Sequence, residues 1–468
     1  MIETDIVIIG GGSGGFGAAI RAARADPNAR ILLLDSMAQL GGTSTVGGVN
    51  NWEPGIGGPG VHYELAARLS PNAIGVGRTV HFSSKEEPYG FSRIDPHSSY
   101  ESSLRRAGLP KPQVRRVHFE PDIMAAAMDA MLREAGVEIR YRTRFTYVSV
   151  QGRRIVSITA QPLDGDPPYT VRSKLFIDCS GGCHLARAAE CSMAFGEEPH
   201  DLYGEPSAPD SASPIVNGIS QVFRVTSAAE AGVDELPAAA NAPEIQDWLA
   251  THRPAAHVTE YPNGDLCVNV LPTMEGAEFH SMPYPEAQAI AQARMHAHWR
   301  RMQTDYGFDR YRFKSMFPLV GIRESHRLVG RYVLREQDVR AGLQQQPRRE
   351  EIIALADHPL DTHGERNVKG IKLKELEQPY GIPYSCLLPA EYDNLIAASR
   401  GASFSHIAAS SCRLSRTMMA LGEAAGEASA LALRAGAAYA DVDVDAIRGR
   451  LGIPAFEEKA LSVWGIRN

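Results

Sequence analysis

The chain has 468 residues, enough for two domains, and its 44% hydrophobic and 22% charged content excludes long disorder. A net charge of −7 argues against nucleic acid or an anionic membrane surface as the main partner. Cys179 and Cys183 are four apart, but no second close pair completes a zinc or iron–sulfur site, so no metal is expected and all six cysteines read as reduced thiols.

The first strand, Asp5-Ile6-Val7-Ile8-Ile9, starts almost at Met1, so no signal peptide is expected. No apolar run approaches a membrane span, so a cytoplasmic protein is expected. Gly10-Gly11-Gly12-Ser13-Gly14-Gly15 follows at once and satisfies G-x-G-x-x-G, and a small-residue helix comes next (Gly17, Ala18, Ala19, Ala22, Ala23). Glycines at Gly10, Gly12, Gly14 and Gly15, with Ser13, let the backbone turn tightly and approach a pyrophosphate at the helix N-terminus. Ile31-Leu32-Leu33-Leu34 reads as a second strand ending at Asp35. That carboxylate lies 20 residues beyond Gly15, where it can accept hydrogen bonds from a ribose, with Ser36 beside it. Strand, glycines, helix, strand and acid in this order specify a dinucleotide site.

From Gly55 to His118 the chain is rich in Gly, Pro, Ser and His and shows no sustained period, so a loop-rich insertion is expected there, covering a site. Glu120-Pro121-Asp122 opens a helix with apolar positions Ile123, Met124, Ala127, Met128, Met131 and Leu132, closed by Gly136. Val137 to Tyr141 is a strand. Phe145 to Val150 and Ile155 to Ala160 form a hairpin about Gln151-Gly152, and Lys174 to Asp178 is a buried strand running into Cys179-Ser180-Gly181-Gly182.

Residues 200 to 375 read as a separate α+β substrate or cap domain inserted between the two parts, 1–199 and 376–468, of an α/β nucleotide-binding domain. Within it, Ile219 to Val225 is an alternating strand, His257 to Tyr261 and Leu266 to Leu271 form a hairpin at Asn263-Gly264, and Glu286 to Met302 is helical. A charged run, Arg323-Glu324-Ser325-His326-Arg327, precedes a helical stretch from Tyr332 to Arg340. His363 lies in a loop, Pro359 to Gly364. Asn394 to Ala398 is a strand followed by Ser399-Arg400-Gly401, then His406, and Arg413 opens a helix running to about Arg434.

These segments resemble the FAD-dependent oxidoreductases related to the fumarate reductase and succinate dehydrogenase flavoproteins, over roughly 1–60, 115–195 and 318–436. The acid at the end of strand two followed six residues later by Gly41-Gly42, and then by Thr43 to Trp52, is similar to flavoproteins of the glutathione reductase type. The resemblance implies a Rossmann-like FAD-binding domain of that type, with Gly41, Gly42, Thr43, Thr45, Gly48, Ser180, Gly181, Ala398, Ser399 and Gly401 around the cofactor. It also implies that the helix after Arg413 points its N-terminus at the flavin, where free N–H groups stabilise the reduced anion. Thr43, Ser44 and Thr45 stand where covalently flavinylated relatives carry a histidine, so FAD is expected to be noncovalent.

The implied chemistry is hydride exchange between flavin N5 and a small polar metabolite such as a hydroxy acid, a sugar or a related alcohol. Such a reaction needs one acid or base and, for an anion, a clamp. His406 is the first choice for acid or base, His363 the second, Arg323 is a candidate to bind an anion, and Arg413 a candidate to bind either a substrate anion or flavin O2. Asn50 and Trp52 sit where they can close a wall of the pocket. A redox-neutral lyase or glycoside-cleaving enzyme and a flavin-carrying electron-transfer subunit are the alternatives. The electron acceptor, the reaction direction and whether the chain forms an oligomer are not readable from the sequence.

Overall fold

The computed structural model describes residues 1–52, 60–69, 76–80, 91–92, 117–252, 255–364 and 376–463. Strand β1 (Ile2–Ile9) is buried from Thr4 onward, and an apolar run buried on both faces is the signature of a central parallel strand. It leads into helix α1 (Ser13–Ala25), strand β2 (Ile31–Leu34), helix α2 (Pro121–Glu134) and strand β3 (Glu138–Arg140). Strands β4 (Thr143–Gln151) and β5 (Arg154–Pro162) form the expected antiparallel hairpin, and strand β6 (Tyr169–Asp178) follows. Strand β7 (Leu395–Ala397) returns much later, before helices α3 (His406–Cys412) and α4 (Ser415–Ala435).

The resulting sheet has the order β3-β2-β1-β6-β5-β4. Strands β1, β2, β3, β6 and β7 run parallel, whereas β5 is antiparallel to the first half of β6 and β7 pairs with its second half, at Phe176 to Asp178. The fold is therefore mixed α/β around a parallel-strand sheet. Helix α1 lies directly against α4, and glycine makes this possible. A Cβ on Gly422 would stand 2.0 Å from the Gly14 carbonyl oxygen, and one on Gly17 would stand 2.3 Å from that of Met419.

A second sheet has the strand order Tyr311–Met316, Val222–Ser227, Leu266–Leu271, Ala255–Glu260, Val76–Val80, Phe91–Ser92, with every neighbour antiparallel. The helix Tyr284–Asp305 covers it, burying Met295, Trp299 and Met302 against Phe223, Val225, Val258 and Val268. Leu334, Val339, Ile353, Ala354 and Leu360 instead share the buried cluster of α1.

Four local expectations differ from the structure. The stretch from Gly55 to His118 contains a helix, Val61–Arg68, and two strands that extend the second sheet. Their pairing partner lies near residue 258, so no local period announces them; 53–59, 70–75, 81–90 and 93–116 lie outside the described residues. The helix expected at Tyr332 begins at Glu336 and runs to Gln345, because Asp338 accepts the Arg335 N–H at 3.0 Å and fixes the start there. The strand expected from Ile219 starts at Val222, with Ile219 and Ser220 in isolated bridges to Met274 and Gly321. Arg413 does not open α4: it closes α3, and the extended Leu414 separates the two helices. Among the described residues, no helix is long and apolar enough to cross a membrane.

Candidate cofactor and active site

A cavity of about 1280 Å³ opens beyond the C-terminal ends of β1, β2 and β6, which is where ligands bind in open α/β sheets. Gly10, Gly12, Ser13, Gly14, Asp35, Ser36, Gly41, Gly42, Thr43, Ser180, Gly181 and Ser399 all line it. Gly12 is the N-cap of α1, and no side chain caps the first turn, so its N–H groups are left for a ligand. A Cβ on Gly12 would meet nothing within 4 Å, which marks that position as the open face of the cradle. Gly10, at φ +94°, turns the chain tightly under Cys179.

Asp35 is 5% exposed, and its two oxygens accept the backbone N–H groups of Gly11 at 2.7 Å and Met37 at 2.8 Å. Burial pushes its carboxyl above the usual carboxylate range, and the two N–H groups oppose that shift. Asp178, which the sequence reading passed over, accepts Ser180 N–H at 3.0 Å, Ser180 Oγ at 2.5 Å and Ala186 N–H at 2.9 Å, and so shapes the Ser180-Gly181 turn. The remaining expected cofactor residues stand behind the wall. The Gly15 position packs on the Gly10 carbonyl, Gly48 on the Phe317 ring and Gly401 on the Cys183 sulfur. Thr45 donates to the Leu40 carbonyl, and Ala398 donates its N–H to Asp178 O at 2.9 Å.

A second helix N-terminus meets the same cavity. No side chain caps α4, and Leu414, Ser415 and Arg416 lie on the wall. Ser415 Oγ is 2.9 Å from Ser44 Oγ, which in turn accepts Trp52 Nε1–H at 3.4 Å. Trp52 and Asn50 line the cavity as expected, yet both are nearly fully buried: Trp52 packs edge-on against Phe119 at 5.0 Å, and Asn50 donates to Phe119 O at 3.1 Å.

Next to that terminus, two of the expected catalytic residues converge on one aspartate, and a third lines the same wall. His363 Nε2 is 2.7 Å from Asp361 Oδ2, and Arg413 is 3.6 Å from the same oxygen. Arg323 donates to Gly218 O at 2.7 Å and Ser220 Oγ at 2.9 Å. All four side chains line the cavity. Burial, reinforced by Arg323 and opposed by Asp361, lowers the His363 imidazole to about 4. Burial and the neighbouring Arg413 bring Arg323 down to about 9. Asp361 is held well below the usual carboxylate range: burial works the other way, but His363, His358 and Arg413 outweigh it. At neutral pH the cluster is therefore a neutral imidazole, a carboxylate and two guanidinium ions.

His406 is placed differently from the expectation. It is 2% exposed, is not on the cavity wall, and points into a buried polar network. Ser405 caps α3 by accepting the Ala408 N–H at 3.1 Å, and the His406 ring in its first turn has Nδ1 2.9 Å from Glu324. Arg327, with no exposed side-chain surface, pairs with Glu324 and with Glu198 at 2.6 Å. His406 and Arg327 hold the Glu324 carboxyl at about 2 against the opposing effect of burial. His326 does reach the cavity, beside His280, Arg187 and Arg400. Asp361 and Arg400 were not singled out from the sequence. Only the proximity of Asp361 to His363, two residues away, could have flagged the first.

The model of a family described as FAD dependent oxidoreductase matches residues 5–451. No curated protein matches the chain. Among solved structures, the chain is similar to a geranylgeranyl bacteriochlorophyll reductase-like protein from Thermoplasma acidophilum, at 13% identity and a TM-score of 0.46, over 99% of this chain and 86% of that one. It is also similar to a flavin-dependent brominase, at 14% identity and a TM-score of 0.43, over 96% and 84%. A third is p-nitrophenol 4-monooxygenase from Pseudomonas putida, at 12% identity and a TM-score of 0.45, over 99% and 88%.

Proposed function

The chain belongs to the FAD-dependent oxidoreductase family, and from that premise we propose that it exchanges a hydride between noncovalent FAD and a small anionic metabolite, such as a hydroxy acid. We read the fold as the glutathione reductase type, related to the fumarate reductase flavoproteins. The order β3-β2-β1-β6, the antiparallel excursion through β4 and β5 and the return of β7 beside β6 support that reading. Residues 200–375 are read as the substrate-bearing part, which supplies Arg323, Asp361 and His363 to the cavity.

The residues fit the cofactor. Two helix N-termini without side-chain caps face one cavity, the first at the glycine cradle and the second at Ser415. The first suits a pyrophosphate and the second a developing negative charge. When bound, the flavin supplies the hydride acceptor or donor at N5. Everything else falls to side chains of this chain.

The observation that carries the reading is the cluster of His363, Asp361, Arg323 and Arg413 on the wall of that cavity. Asp361 takes the Nε2–H of His363, which leaves Nδ1 as the basic nitrogen of a ring that is neutral at pH 7. Such a nitrogen removes the hydroxyl proton of an alcohol as its C–H leaves as hydride, or returns it in the opposite direction. Arg323, among the described residues, has no carboxylate partner of its own and meets only neutral oxygens. A half-buried guanidinium without a counter-ion is stabilised by a bound anion, which assigns it the substrate carboxylate.

An anaerobic screen of 2-hydroxy acids and sugar acids against the FAD-loaded protein tests this. A substrate should bleach the flavin band, and His363→Asn should slow that bleaching by about 10²- to 10⁴-fold with flavin content unchanged. Arg323→Met should raise the substrate concentration needed for half-maximal rate at least about tenfold, equivalent to about 1.4 kcal/mol. Full bleaching rates in His363→Asn would remove His363 from the chemistry.

A further inference from the structure

We propose that Asn217 and Glu324 are positioning residues that hold His363, and that the buried partners of Glu324 exist to keep this arrangement in one state. The proposal rests on the reading of His363 as acid or base. Asn217 Oδ1 accepts the His363 backbone N–H at 2.8 Å, and the next residue, Gly218, donates its N–H to the His363 carbonyl at 2.9 Å. The loop that carries His363 is thus clamped on both of its backbone polar groups by two consecutive residues. Gly218 also accepts from Arg323 at 2.7 Å, so the same dipeptide sets the distance between the imidazole and the anion-binding guanidinium.

The orientation of the Asn217 amide decides whether the clamp works. An amide can present either its oxygen or its NH₂ to a given neighbour, and only the oxygen can accept from His363. Glu324 removes the choice. Its Oε2 accepts Asn217 Nδ2 at 2.6 Å and Asn217 N–H at 2.9 Å, and a carboxylate can only accept. The NH₂ therefore faces Glu324 and Oδ1 faces His363. For this to hold, Glu324 must stay ionised while only 2% exposed, and an isolated buried carboxylate would not. Arg327 and the Nδ1 of His406 supply the compensation on its other side, and Arg327 is itself anchored by Glu198 at 2.6 Å and by Phe404 O at 3.0 Å. His406 therefore serves the reaction from behind, through Glu324 and Asn217, without touching substrate or flavin.

The test follows the His363 imidazole by nuclear magnetic resonance in the FAD-loaded protein labelled at histidine, a readout that needs no substrate, beside turnover of a substrate found in the screen. In the unmodified protein the ring should be the Nε2–H tautomer and titrate near 4. Asn217→Ala keeps the backbone bond to Glu324 but removes the acceptor for His363. It should move the titration upward towards the ordinary imidazole range, mix the tautomers, and lower kcat about tenfold, the effect expected when a supporting partner is lost, while FAD remains bound. Glu324→Gln should do the same, because its amide can also donate to Asn217 Oδ1 and release the flip; if that variant does not fold, Asn217→Ala carries the test. An unchanged His363 titration and tautomer in Asn217→Ala would overturn the proposal. If Asn217→Ala shifts the titration while His363→Asn keeps full turnover, the clamp stands and the catalytic role of His363 falls.

Discussion

Asp35 and Gly11 are joined by a 2.7 Å hydrogen bond from the Gly11 N–H to the Asp35 carboxylate, linking the end of β2 to the middle of the glycine loop. The acid expected to hold a ribose thus also braces the loop expected to hold the pyrophosphate. Replacing Asp35 by Ala should loosen both at once. An unmade bond to a buried N–H costs about 1–3 kcal/mol, so the affinity for FAD should fall roughly 10- to 100-fold. Flavin retained after gel filtration, set against a titration of apoprotein with FAD, measures it; unchanged affinity would show that the brace is dispensable.

The contact between α1 and α4 gives a second prediction. A methyl group on Gly422 would collide with the Gly14 carbonyl, which is backbone and has no rotamer to escape into. Gly422→Ala should cost about 1–3 kcal/mol of stability and displace the α1 N-terminus from its cradle, lowering the flavin-to-protein ratio. Gly449→Ala is the control: it lies within the helix Val444–Arg450 with nothing within 4 Å of the added carbon, so the change should be neutral or stabilise by about 0.5–1 kcal/mol. Thermal unfolding and the absorbance ratio report both.

Acid sensitivity should trace to buried histidines. His298 is 1% exposed, and burial, aided by Arg301, lowers its imidazole to about 3. Its folded pKa lies below the unfolded value of 6.5, so between the two the unfolded chain binds the extra proton. Stability is then unaffected above about pH 7 and declines as pH falls from 6.5, with a slope approaching about 1.4 kcal/mol per pH unit for this one group. His298→Gln should flatten the dependence of the urea midpoint on pH between 6 and 4 by that amount. An unaltered slope would place the acid sensitivity elsewhere.

The nucleotide half of the site was legible in the sequence because its chemistry is local: Gly10 to Gly15, Asp35 and Gly41-Gly42 lie within one short stretch. The proposed catalytic half was legible only in its residue types. His363, Arg323 and Arg413 were named and all line one cavity, but Asp361, which contacts two of them, was marked only by standing two residues from His363. His406 stands near the right segments in sequence. What sends it into the interior is Glu324, 82 positions away, and no local pattern reports such a partner. The strands at Val76–Val80 and Phe91–Ser92 were missed for the same reason, since their pairing is with residues from another part of the chain and with each other.

The close seating of Gly17 and Gly422 also bears on how the protein is made. The two surfaces that must meet for the cradle to take shape are separated by most of the chain, so the ribosome releases α1 long before α4 exists. At about 5–20 residues per second the interval is roughly 20–80 s. During it the glycine loop has its strand but not the helix that seats it. Cofactor capture therefore belongs to the finished chain, and a supply of FAD should rescue folding after synthesis and not during it.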